Sequence, residues 1–260
     1  MILRRLNQHV RDQNWIAVGL DFLIVILGVF IGIQLGNWNT NRLETARAEA
    51  NMERLQEEAE HVVAYWQDQV NSSSAFKTAQ RALLLALEDG KVPAGQEDAI
   101  EVAFQSLFFY PANNPPRAVL DELTATGGLS SLTDLEVRDA VSEYLAELAY
   151  IDGQLPQFRL NAPVIVNAYR DRVFSVYAPD RPSLRRFEYD MEALSQDRQF
   201  NSDILDLSRD QLQFHEYRLN MLEAARQMCD TVSGSIDTVC KANPAGLVDR
   251  NGVNQRAPQD

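Results

Sequence analysis

The stretch Trp15-Ile-Ala-Val-Gly-Leu-Asp-Phe-Leu-Ile-Val-Ile-Leu-Gly-Val-Phe-Ile-Gly-Ile-Gln-Leu-Gly-Asn-Trp38 carries only one ionisable side chain, Asp21. Its apolar core, Ile16 to Leu35, is about 20 residues long, and at ~1.5 Å per residue a helix of that length spans a ~30 Å hydrocarbon layer. Trp15 and Trp38 bracket the run at the two places where amphipathic indoles settle, the membrane interfaces. Residues 16–36 are therefore predicted to be a single transmembrane anchor, with the lipid bilayer as the first partner. A cleaved signal peptide also pairs a basic start with an apolar stretch, but its apolar part is shorter and a small-x-small cleavage site comes after it. Here the run leads into Gln34-Leu-Gly-Asn-Trp-Asn-Thr40, with no Ala-x-Ala pattern and no lipidation cysteine. The anchor is expected to stay on the mature chain.

Outward from the anchor, Arg4, Arg5 and Arg11 precede it with a single acid, Asp12, whereas Arg42, Arg47 and Arg54 lie beyond it diluted by Glu44, Glu49 and Glu53. The numbers tie and density decides. Under the positive-inside rule residues 1–15 form a short cytoplasmic tail, and the chain beyond the anchor lies outside the cytoplasm. Cys229 and Cys240 fit that topology, since two nearby cysteines are what an oxidising compartment bridges; the other reading is two unrelated small hydrophobes. A bridge needs Cα atoms within about 7 Å, whereas an unbroken helix would hold them roughly 16 Å apart. The final helix is thus expected to stop near Cys229, with Gly234 in the turn. The chain is expected in a bacterial inner membrane with a periplasmic domain.

Length and charge narrow the function classes. A chain of 260 residues with ordinary apolar content buries a core, and a net charge of −13 excludes a nucleic-acid partner, because duplex binding draws its affinity from Lys and Arg on phosphates.

Past Trp38 the apolar spacing becomes a helical stripe: Leu43, Ala46, Ala50, Leu55, Ala59, Val62, Trp66 and Val70. A kink or break is expected at Asn71-Ser-Ser-Ser74, and a second helix then runs to a stop at Asp89-Gly90. A third carries Ile100, Phe104, Leu107 and Phe108, and a short fourth covers about Arg117 to Ala125 before Gly127-Gly128. Thr133-Asp-Leu-Glu136 reads as a capping box opening a helix that buries Leu135, Val141, Leu145 and Leu148. Leu155 to Tyr177 is helical in period, with kinks or breaks expected at Pro156 and Pro163. The last pattern, Met191 to Met228, reads as two helices broken near Asn201-Ser-Asp203. No run alternates with period two, so the fold class is all-α: one anchor helix, then an extramembrane helical bundle over residues 39–242. Residues 243–260 are polar and read as a disordered tail.

Gly28-Val-Phe-Ile-Gly-Ile-Gln34 closing on Asn37-Trp-Asn39, with Leu120-Asp-Glu-Leu-Thr-Ala-Thr-Gly-Gly-Leu129 and Arg138-Asp-Ala-Val-Ser-Glu-Tyr144, resembles a family of uncharacterised bacterial single-pass membrane proteins, a domain of unknown function. The resemblance implies a bacterial membrane setting and the domain boundaries above. It implies no activity.

Four constellations remain. Gly28, Gly32 and Gly36 recur every fourth residue, with Ala17 and Asp21 on the same stripe, and read either as a helix-packing face for an oligomer or a partner membrane helix, or as ordinary anchor composition with a hydrated Asp21. Glu58-x-x-His61 is half of a di-metal bundle signature, but Leu212 stands where His215 would need its glutamate, so a solvated acidic face is the better account and no metal is expected. Arg170, Arg172, Arg181, Arg185 and Arg186 form a basic patch among Tyr169, Phe174, Tyr177 and Phe187, suited to an anionic group or acidic partner, or paired with Asp171, Asp180, Glu188 and Asp190. Cofactor and catalytic motifs are not found: no Gly-x-Ser-x-Gly, no phosphate-cradling glycine loop and no zinc-spaced Cys/His cluster. The expectation is a membrane-anchored interaction or scaffold module without enzymatic activity. The alternatives are an extracytoplasmic ligand-sensing bundle that signals through a partner, since about 15 cytoplasmic residues are too few for an output domain, and a hydrolase or metalloenzyme with an unrecognised site.

Overall fold

The computed structural model describes residues 15–132, 134–181 and 183–242; side chains at 15–18, 21 and 131 lie outside that description. The basic flank before the anchor, His9, the expected tail 243–260, and the side chains of Ala17 and Asp21 therefore fall outside it. The protein is all-α. Its elements are α1 (Trp15–Asp89), α2 (Glu97–Ser106), α3 (Ala118–Thr126), α4 (Gly128–Ser131), α5 (Leu135–Ala168), β1 (Val173–Tyr177), β2 (Arg185–Tyr189), α6 (Met191–Gln196) and α7 (Arg198–Ser235). Two compact units divide the chain, Met1–Asn51 and Met52–Asp260.

In the first unit α1 is long and apolar enough to cross a membrane, and none of its apolar run is buried by protein. Phe22 is 67% and Ile24 58% exposed, apolar surface that is costly to leave in water.

In the second unit Leu55, Ala59, Val62, Val63, Trp66 and Val70 of α1 face the core, as the stripe predicts. Trp66 is fully buried, and its Nε1–H donates to the Tyr144 hydroxyl of α5 at 3.2 Å, so the indole's one polar atom is satisfied inside the core. Burial holds the Tyr144 hydroxyl well above its ordinary pKa. Tyr110 stacks on Phe158 at 5.3 Å, and both meet Phe214, which joins the segment after α2 to α5 and α7.

Several expected boundaries are corrected. Asn71–Ser74 does not break α1: the buried Ser73 hydroxyl bonds back to Gln69 O and Val70 O and meets His215 Nδ1 at 2.8 Å, so tertiary pairing overrides weak helix propensity. Gly90, at φ +67°, ends the helix as expected. The cap of α5 is Asp134, whose carboxylate accepts from Glu136 N and Val137 N; this shifts the start by one residue and leaves Leu135 60% exposed rather than buried. Pro156 and Pro163 both lie inside α5 without ending it, and both are exposed. The stretch expected to stay helical to Tyr177 instead leaves α5 at Ala168 and forms β1, antiparallel to β2 with Ser175 opposite Phe187. The break in the final pattern falls at Asp197, which caps α7 through Gln199 N and Phe200 N, and Asn201–Asp203 are helical.

Candidate functional site

The hairpin's place is set by its side chains. With Val173 opposite Tyr189 and Ser175 opposite Phe187, alternate residues of both strands share one face. Phe104 of α2 packs on Phe187 at 5.6 Å and Tyr189 at 5.0 Å, and the Glu101 carboxylate of α2 accepts Phe187 N–H on both oxygens at 3.1 Å. The strand is thereby clamped to α2 by its backbone as well as its rings.

A cavity of about 640 Å³ lies between α2, the end of α5, the hairpin and the first turns of α7. Phe104 lines it from α2, Leu107 and Phe108 from the turn that follows, Ile165 and Val166 from α5, Ser175 and Phe187 from the hairpin, and Phe200, Ile204 and Leu207 from α7. Tyr169 closes one side: it stacks edge-on against Phe200 at 4.9 Å and its hydroxyl donates to Asp203. Burial and that carboxylate push the Tyr169 hydroxyl up to about 12, so it remains a donor at neutral pH. Two charged groups, Arg170 and Arg185, join this apolar lining. Arg185 is half-buried, with its guanidinium carbon 5.4 Å from the Phe108 ring centre and 5.3 Å from that of Phe187.

The five-arginine patch is thus divided. Arg172 pairs with Asp197 and lies over the Tyr169 ring, Arg181 pairs with Asp98 at 3.2 Å, and Arg186 pairs with Glu188 at 2.7 Å. Of the carboxylates expected to neutralise the patch only Glu188 does so in these pairs; Asp197 and Asp98 come from elsewhere in the sequence.

The other expected sites divide as well. Around Gly28, Gly32 and Gly36 a Cβ would meet no atom within 4 Å, so the stripe is open along its length. Cys229 and Cys240 are disulfide-bonded with Cα atoms 5.7 Å apart, although α7 continues to Ser235, past the expected stop. Glu58 is not a solvated acid: it is 7% exposed and accepts Val119 N–H at 2.8 Å and Leu120 N–H at 2.9 Å, capping α3 from α1. His61, three residues on, is exposed, and among the described residues no three His, Cys, Asp or Glu side chains group to hold a metal.

Polar residues also enter the core along α7, which the sequence reading does not anticipate. His215 meets Ser73, Gln211 Nε2 donates to Ser106 O at 2.7 Å, and Gln80 Nε2 donates to Ser106 Oγ at 3.2 Å. Arg218 is 2% exposed, its guanidinium carbon 4.4 Å from the Phe214 ring centre, and burial lowers its pKa to about 10. Burial likewise lowers the pKa of His215, which favours the neutral ring. The signal is present in the spacing: Leu207, Gln211, His215, Arg218 and Leu222 step by three and four, so polar residues stand at core positions of an apolar stripe.

No family model, no curated protein and no solved structure matches this chain.

Proposed function

We propose that this chain is a single-pass protein of a bacterial inner membrane whose periplasmic helical domain holds a small apolar ligand and relays its presence to a partner membrane protein or a second copy. The cavity between α2, α5, the hairpin and α7 carries this reading. Its volume of about 640 Å³ suits ligand pockets, which run from roughly 300 to 1,000 Å³ with mostly apolar and aromatic walls and a few polar groups. A concave apolar lining that includes two cationic side chains favours the ligand-binding alternative over a bare docking scaffold. The open glycine face of α1 supports contact with another membrane helix, since small residues let backbones approach closely.

The test uses the full chain in lipid nanodiscs and the neutral fluorophore 1-aminoanthracene. Saturable fluorescence enhancement is expected, reduced at least about tenfold in affinity by Ser175→Trp, which puts an indole in the cavity and loses the equivalent of roughly 1.4 kcal/mol or more. Equal binding by both proteins, with unchanged circular dichroism, removes the cavity from the mechanism.

The topology has its own check. Alkaline phosphatase fused after Ala242 is expected to be active in cells, because that enzyme matures only where disulfides form. A silent phosphatase beside an active cytoplasmic reporter at the same site reverses the orientation.

A further inference from the structure

Resting on the ligand-binding reading, we propose that the ligand is a single-chain amphiphile with an oxyanion head, carboxylate or phosphate, and that Arg170 and Arg185 are its grip. The five arginines near the hairpin divide cleanly by what they touch. Arg172, Arg181 and Arg186 are each paired with a carboxylate of the chain. Among the described residues Arg170 and Arg185 take part in no ion pair, and these two are the arginines that line the cavity.

Glu101, beside the hairpin on α2, is committed to Phe187 N–H through both oxygens. The Arg185 guanidinium carbon lies 5.4 Å from the Phe108 ring centre and 5.3 Å from that of Phe187, and its N–H donors enter no ion pair among the described residues. A planar fork of donors matches the two oxygens of a carboxylate or phosphate, and a cation is excluded by like charge. The aromatic and aliphatic wall behind the two arginines takes the apolar remainder, and about 640 Å³ accommodates a drug-sized molecule and not a two-chain lipid.

The experiment is displacement of bound 1-aminoanthracene from the full chain in nanodiscs by four ten-carbon amphiphiles: decanoate, decyl phosphate, decanol and decyltrimethylammonium. Decanoate or decyl phosphate is expected to compete at concentrations about tenfold or more below decanol, the size of one to two charge-assisted hydrogen bonds, and decyltrimethylammonium least well. Whichever oxyanion is stronger assigns the head. The Arg170→Gln/Arg185→Gln variant is expected to lose the preference while still binding decanol. Arg170→Gln alone changes an exposed side chain, so its partial loss of preference is read in a protein whose fold is intact. Decanol competing as well as both oxyanions, or a preference that persists in both variants, overturns the grip and leaves the apolar cavity standing; failure of the fluorophore itself to bind overturns both.

Discussion

Replacing Glu58 by alanine is expected to destabilise the helical domain by about 3 kcal/mol or more, a large share of a typical domain's 5–15 kcal/mol. The first turn of α3 has backbone donors that no intrahelical carbonyl can satisfy, and its own cap residue, Arg117, makes no side-chain cap. Glu58, reaching across from α1, accepts two of them in a buried setting. Each bond to a charged acceptor is worth about 1.5–3 kcal/mol net, and the negative charge also sits at the positive end of the helix dipole. Alanine removes the acceptors without removing the donors. Glu58→Gln keeps one acceptor oxygen and is expected to lose roughly half as much, a loss that a cavity effect would not produce because Glu and Gln have nearly equal volume. Urea unfolding of the full chain, followed by circular dichroism, gives the comparison; a Glu58→Ala midpoint equal to the native one would sink the capping account.

Glu58 also shows how far the sequence can be read. The stripe Leu55, Ala59, Val62, Trp66 locates the buried face of α1, because apolar spacing of three and four is a property of the chain alone. Glu58 lies on that same face, three residues after Leu55, and the spacing alone marks it as a core position. Its residue type points to solvent instead, and in the folded chain position prevails over type. Ser73, Gln211, His215 and Arg218 repeat the case: each continues an apolar stripe, and each is buried. A polar residue in phase with a core stripe signals a partner on another element, and only the fold says which one.

The hairpin is illegible for a different reason. Val173-Phe-Ser-Val-Tyr177 and Arg185-Arg-Phe-Glu-Tyr189 are rich in β-branched and aromatic residues, but each has five residues and the joining segment lacks an Asn-Gly or Asp-Gly turn. The turn closes instead with Ala178 N–H donating to Leu184 O at 3.0 Å, and Leu184 takes a left-handed φ of +53°, which β-turn signatures do not assign to leucine. The forces that hold the strands are tertiary: Phe104 under Phe187 and Tyr189, and Glu101 on the Phe187 amide. The cavity inherits that limit, since its walls come from four segments whose neighbourhood no local pattern encodes. The basic patch is legible as a cluster, but its division into three paired and two cavity-lining arginines depends on Asp98 and Asp197, distant in sequence from Arg181 and Arg172.

Removing the bridge between Cys229 and Cys240 is expected to lower stability by about 3 kcal/mol, through the loop-closure entropy that an eleven-residue separation withholds from the unfolded chain. The geometry that permits the bridge is a reversal after α7. The helix continues to Ser235, then Thr238 N–H donates back to Ser233 O at 2.9 Å and Asp237 adopts φ +55°, a left-handed conformation that aspartate tolerates better than most residues. The chain thus doubles back on the helix end. Cys240 returns to within 5.7 Å of Cys229 without α7 stopping at the first cysteine. Lys241 N–H, donating to Glu60 on α1 at 3.0 Å, secures the returned segment at a second point. The Cys229→Ala/Cys240→Ala variant and native protein in dithiothreitol are therefore expected to unfold at the same reduced urea concentration, with oxidised native protein above both. An oxidised midpoint no higher than the other two would show that the bridge does not constrain the unfolded chain. Two alkylatable thiols in protein taken directly from the native membrane would remove the bridge itself, and with it the support that it lends to an oxidising compartment.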